Sequence, residues 1–222
     1  MTQKIDIEGL HCLCSATGTV RRIAYVLYPT EIPAERVERM AAKYGVSIVV
    51  VTGMDWQNVF SPWAAPGVAA GDPDFKGEAP GFLKLIQQSV LPQIENVLAP
   101  DSNVERTLVG VSMSGLFALW QWMVCPTFAN IASLSGSFWY DGFDRWMKDR
   151  EIPPKTGKAY FLLGRKESKS AVKAFDSVGE NTAMIVDLLT AAGINVEYQL
   201  VPGNHFSDPI PRLESAFAAL FS

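Results

Sequence analysis

Short apolar runs alternate along this chain with longer stretches in which apolar residues return every three or four positions. The runs at 23–28, 46–52, 107–111, 130–134 and 158–163 are rich in aliphatic and β-branched residues and too short for helices. They read as strands buried on both faces. Residues 5–7 and 10–14 are strand-like too, broken by Gly9 and followed by the turn Ala16-Thr17-Gly18, and 196–201 makes a final strand. Pro33 is placed to open a helix, whose apolar stripe is Val37, Met40, Ala41 and Tyr44 and which Gly45 ends. Residues 82–98 repeat Leu83, Ile86, Val90, Leu91, Ile94 and Val97 near helical spacing, with Pro92 a candidate kink. A further helix runs from Leu116 to near Pro126, and an amphipathic one over 182–192 is stopped by Gly193. Ser207 or Asp208 caps the last, with Pro209 early in it and Leu213, Phe217 and Leu220 facing inward. Strands alternating with helices predict an α/β fold, a doubly wound and mostly parallel sheet flanked by helices, in one domain over 1–222. Ligands of such sheets bind beyond the carboxyl ends of the strands.

One long segment, about 55–81, breaks this pattern with Pro62, Pro66, Pro73, Pro80 and several glycines. Loops of this length are commonly lids or binding loops. It carries Trp56, Phe60, Trp63 and Phe75, and either tryptophan is a candidate wall of a substrate pocket. Composition narrows the classes that remain. A 222-residue chain that is 48% hydrophobic, with six tryptophans and twelve phenylalanines, buries a substantial core. Its formal charge of −4 and scattered basic residues argue against nucleic acid or an anionic membrane as partner. No apolar run approaches the ~18 residues that cross a bilayer. The opening MTQKIDIEG lacks the apolar centre of a signal peptide, so a cytoplasmic protein is expected. His11, Cys12 and Cys14 invite a metal reading, but Cys12 and Cys14 share one strand face and His11 points from the other. With no second cluster to complete four ligands, no metal is expected there.

Candidate chemistry centres on ERTLVGVSMSGLFAL, from Glu105 to Leu119. A strand here passes into a helix with no loop between, so the turn is sharp and its tip strained. Strand and helix backbones then come close, and only small residues fit two positions either side of the tip. Those positions are Gly110 and Ser114, with Gly115 next, and the tip is Ser112. This is the geometry of a nucleophile elbow. Of the two histidines, His205 follows the last strand within Val201-Pro202-Gly203-Asn204-His205-Phe206, at the edge where a general base is needed. The acid belongs after the preceding strand, where Glu167 follows Gly164 by three residues; Asp176 and Glu180 are rivals in the same segment. For the oxyanion hole, the N–H of Met113 is the expected first donor. Pro29 has no N–H to give, which leaves Thr30 or Tyr28 as the second, Thr30 first.

Taken in order, GVSMSGLFAL, SLSGSFWY, FLLGRKE and PGNHFSDP resemble the α/β-hydrolase superfamily, in particular its esterase D and enterochelin-esterase-like branch. The resemblance runs from about Arg22 to the end. It implies a single-domain α/β-hydrolase fold, with that family's serine, acid and histidine at Ser112, Glu167 and His205. It further implies hydrolysis of a small-molecule ester through an acyl-serine intermediate, with no metal or organic cofactor. Relatives usually have Gly where Ser114 stands and often His-Gly where Tyr28-Pro29 stands. Two other readings accompany the esterase: acyl transfer to an alcohol on the same scaffold, and a non-catalytic hydrolase-like binding domain. The aromatics of 55–81 and of Phe138, Trp139 and Tyr140 suggest an apolar or aromatic acyl or alcohol group, with Trp139 a further candidate for the pocket. Oligomeric state is not legible in the chain.

Overall fold

A computed structural model describes residues 2–69, 71–99, 103–169 and 172–222. Among the described residues eight strands form one sheet: β1 (Thr2–Ile7), β2 (Leu10–Ser15), β3 (Arg22–Leu27), β4 (Ser47–Thr52), then β7 (Glu105–Val111), β8 (Asn130–Leu134), β9 (Lys158–Gly164) and β10 (Asn195–Val201). Their order across the sheet is β1-β2-β4-β3-β7-β8-β9-β10. The pairs from β4 to β10 are parallel, while β1 with β2 and β2 with β4 are antiparallel. The antiparallel start follows from the Glu8-Gly9 turn, where both residues have positive φ (50° and 81°), which folds β2 straight back on β1. Two short strands, β5 (Ala64–Ala65) and β6 (Phe75–Lys76), pair separately inside the long loop.

Strands β3 and β4 are buried along nearly their whole length, which is why they read as unbroken apolar runs. Alternate residues feed two cores. Ile23, Tyr25 and Leu27 pack on one face with α2 (Ala79–Leu85), α3 (Leu91–Leu98), α4 (Met113–Val124) and α6 (Val178–Ala191). Ala24, Val26 and Tyr28 pack on the other with α1 (Ala34–Tyr44) and α7 (Pro209–Phe221). Helix α4 lies in the thick of the first core: Leu116, Phe117, Ala118, Leu119 and Trp122 are all fully buried. A helix apolar on every side belongs there and nowhere at the surface.

The structure differs from the sequence reading at several boundaries. The loop predicted over 55–81 ends earlier, since α2 starts at Ala79 with Pro80 in its first turn. Ahead of Pro92 a π-helical stretch, Ile86–Val90, sits between α2 and α3 and makes room for the missing N–H and the bulk of the ring. Helix α6 begins at Val178, four residues before the amphipathic pattern, because buried Val178 and the bond from Asn181 Nδ2 to the Phe138 carbonyl (2.7 Å) anchor a turn of weak helix formers. A short α5 (Phe143–Lys148) follows the aromatic run after β8.

Candidate active site

The carboxyl ends of β7, β8, β9 and β10 carry the candidate residues. At the end of β7 the chain turns through Ser112, at φ 56° and ψ −120°, and enters α4 at the next residue. A non-glycine residue there is strained by about 1–3 kcal/mol, so the surroundings must hold it. They do: Ser112 N–H donates to the Leu134 carbonyl (3.0 Å), and its own carbonyl accepts from Gly115, Leu116 and Ser137 N–H groups at 3.0–3.1 Å. A Cβ on Gly110 would collide with the Ser114 backbone, and one on Gly115 would lie 3.0 Å from Gly136 Cα. Ser114 is accommodated because its hydroxyl is used. Its Oγ accepts from Val111 N–H at 2.8 Å, and its proton lies within reach of the Leu27 and Val111 carbonyls, each at 2.9 Å.

Ser112, His205 and Glu167 meet, although 93 residues separate the first two. Ser112 Oγ lies 3.0 Å from His205 Nε2, and His205 Nδ1 lies 3.2 Å from Glu167 Oε2. An ionised carboxylate only accepts, so Nδ1 carries the imidazole proton and Nε2 is left to accept from the serine. Burial pushes the Glu167 carboxyl up, but hydrogen bonds from His205, Ser135 and the Gly164 N–H outweigh it and hold it below its ordinary range. Asp176 and Glu180, the rival acids, are exposed.

Three contributors escaped the sequence reading. Arg212, on α7, donates to Glu167 Oε1 (2.9 Å) and to the Ser135 hydroxyl. Ser135, at φ 51° just past β8, donates to the same Oε1 at 2.6 Å. Ser137 Oγ sits 3.3 Å from Ser112 Oγ. A signal for the serines existed, since Ser135-Gly136-Ser137 follows a strand's carboxyl end. For Arg212 it was a charge beside Leu213 on the buried side of an amphipathic helix.

Rings surround the imidazole. Phe175 lies 5.3 Å from His205 on one side and Phe206 5.3 Å away on another, centroid to centroid. Trp139 stacks on Phe175 at 5.2 Å, which brings it to this wall. Trp56 instead packs edge-on against Phe60. Trp63 lines a separate cleft with Gly142, Arg145, Trp146, Asp149 and Arg150. Its loop is tied down, as Tyr140 Oη donates to the Trp63 carbonyl (2.5 Å) and Trp63 Nε1 donates to the Asp141 carbonyl (2.9 Å). Of the two candidate second oxyanion donors, Tyr28 has its N–H committed to the Val51 carbonyl at 3.1 Å. Thr30 is exposed in the loop after β3. Met113 is the first residue of α4, so no carbonyl a turn earlier in the helix takes its N–H.

His11 is exposed on β2 and pairs with Asp6 (2.7 Å), while Cys12 and Cys14 face the core. Burial pushes the Cys12 thiol up to about 11 and the Cys14 thiol up to about 12, so both stay protonated and unreactive as nucleophiles at neutral pH. Among the described residues no group of three or more His, Cys, Asp or Glu could hold a metal ion, and no helix is long and apolar enough to cross a membrane.

A strand-turn-helix with a strained serine at its tip, set at the carboxyl end of this sheet, defines the α/β-hydrolase class. The chain belongs to the family described as "Putative esterase", whose model matches residues 27–217. It is 26% identical to the uncharacterized protein YbbA of Bacillus subtilis (strain 168) over 126 residues, which are 54% of this chain and 50% of YbbA. The match thus spans about half the length of that relative. Solved structures that share the fold include two hydrolases. The siderophore hydrolase EstA from Aspergillus nidulans superposes with a TM-score of 0.77 at 19% identity, over 99% of this chain and 93% of EstA. An IroE-like serine hydrolase from Shewanella oneidensis gives 0.79 at 17% identity, over 100% of this chain and 80% of that one.

Proposed function

We propose that the protein is a serine esterase in which Ser112 is the nucleophile, His205 the general base and Glu167 the acid that orients it. The observation that carries this reading is the continuous line Ser112 Oγ to His205 Nε2 (3.0 Å) and His205 Nδ1 to Glu167 Oε2 (3.2 Å), anchored on a strained elbow. His205 Nε2 takes the hydroxyl proton as Ser112 Oγ attacks the ester carbonyl. The tetrahedral oxyanion is met by the N–H groups of Met113 and Thr30. The imidazolium, stabilised by Glu167, then protonates the leaving alcohol, and an acyl-serine remains. Water, activated by the same imidazole, attacks the acyl carbon, releases the acid and restores Ser112. No step calls on a metal or an organic cofactor.

The substrate is a small ester with an apolar or aromatic group, which the rings of Trp139, Phe175 and Phe206 would cover. The siderophore hydrolase among its fold neighbours supports this class. Labelling with a fluorophosphonate followed by peptide mapping tests the assignment. The probe is expected on Ser112, and Ser112→Ala is expected to lower kcat/KM for p-nitrophenyl esters by at least about a thousandfold. Full activity in Ser112→Ala would refute the mechanism. Net ester formation dominating in water with an added alcohol would refute hydrolysis in favour of acyl transfer.

A further inference from the structure

Glu167 uses its two oxygens differently. Oε2 faces the imidazole, while Oε1 accepts from Ser135 Oγ (2.6 Å), Gly164 N–H (2.7 Å) and Arg212 Nη1 (2.9 Å). The second arm of the same guanidinium, Nη2, donates to the carbonyl of Asn204 at 2.6 Å, and Asn204 immediately precedes His205. One side chain on α7 therefore grips both the acid, which follows β9, and the loop after β10 that carries the base. Arg212 is only 5% exposed. Space for it is kept by Gly164, where a Cβ would lie 2.9 Å from both Arg212 Nη2 and Glu167 Oε1.

A buried ion pair adds little net stability compared with apolar side chains of the same volume, because both charges lose their water. Stability alone therefore gives little reason for a guanidinium at a site walled by α7 and β9. Geometry gives one. A carboxylate held by one oxygen cannot swing its other oxygen away, and a loop held by its backbone cannot carry the imidazole off. Only a planar fork with donors on separate nitrogens spans the two at once; a lysine ammonium, a single point, cannot.

We infer that Arg212 is a positioning residue for the reaction, setting the distance between the Glu167 carboxylate and the His205 ring through its bonds to Glu167 and the Asn204 carbonyl. The inference rests on the serine-esterase reading above. Its test compares wild type, Arg212→Lys, Arg212→Ala and Ser135→Ala, with p-nitrophenyl ester kinetics, fluorophosphonate labelling rates and thermal unfolding on each. A misplacement of about 1 Å costs on the order of a hundredfold in rate. Folded Arg212→Lys is thus expected to lose about ten- to a hundredfold in kcat with KM within about threefold, and Ser135→Ala about threefold to tenfold. Ethylguanidinium added to Arg212→Ala should restore part of kcat at concentrations that do not raise the unfolding midpoint of that variant, which separates repositioning from rescue of the fold. Kcat within threefold of wild type in folded Arg212→Lys and Ser135→Ala would overturn the inference. So would losses that only follow the unfolded fraction and do not respond to ethylguanidinium. If Ser112 is not labelled in wild type, the esterase reading itself has failed; normal labelling with unaffected variants sinks Arg212 alone.

Discussion

Ser112 and Ser114 stand two residues apart on the same turn, yet the fold uses them in opposite ways. Ser112 has its hydroxyl turned to His205 and Ser137, whereas Ser114 spends its own on the backbone of Leu27 and Val111. Removing the second hydroxyl leaves buried backbone groups short of a partner, so Ser114→Ala is expected to cost about 1–2 kcal/mol in denaturant unfolding. Its fluorophosphonate labelling at Ser112 should persist. The reverse result, a stable Ser114→Ala that no longer reacts, would transfer the nucleophile role. Gly110 is less forgiving. Any Cβ there strikes the backbone of Ser114 rather than a movable side chain. Gly110→Ala is expected to destabilise by about 3 kcal/mol or more and to abolish labelling in whatever remains folded.

Helix α7 shows how an element serves the site from outside it. Its N-cap is Asp208, whose carboxylate accepts from Ile210 N–H at 3.0 Å, and Pro209 fixes the first turn. Four residues past the cap, the same helix delivers Arg212 to Glu167. Asp208→Ala is expected to lower stability by about 1 kcal/mol and to slow the reaction only slightly, measured by thermal unfolding beside ester turnover. A large rate loss with unchanged stability would place Asp208 in the site itself. Much of this element level was legible beforehand. Strand ends, the elbow and the α7 cap are local patterns, set by spacing of small, apolar and capping residues. What escaped were features that local pattern does not encode. The first turn of α6 is held by a bond from Asn181 to Phe138, 43 residues earlier. The π-helical stretch before Pro92 reflects how the helix meets the sheet, with Ile86 and Val90 both buried.

Over the whole molecule, the Glu167 carboxylate ties β8, β9, the His205 loop and α7 together, so its ionisation bears on global stability. Its folded pKa lies below the ordinary 4.5. The stability it contributes is therefore complete above about pH 4.5 and is lost as pH falls through the lower folded value. Glu167→Gln is expected to cost about 3–5 kcal/mol at neutral pH, since it strands the buried Arg212. The difference from wild type should shrink as pH falls below that point, read by denaturant unfolding across pH 7 to 3. A constant difference would mean the carboxylate is not the group titrating.

The sequence by itself determined which segments become most of the strands and helices, their order, and that Ser112, His205 and an acid from the segment after the preceding strand would arrive at one edge of a sheet. Those are consequences of periodicity and chain order, written in neighbouring residues. Only the tertiary structure decided that Glu167 rather than Asp176 or Glu180 faces the imidazole, that Tyr28 has no free N–H, and that Trp139 rather than Trp63 joins the wall beside His205. It also brought in Arg212, 45 residues from the carboxylate it holds. Hydrogen bonds and ring contacts of this kind depend on distances of a few ångströms between segments far apart in the chain, and those distances exist only once the two cores have closed on the sheet.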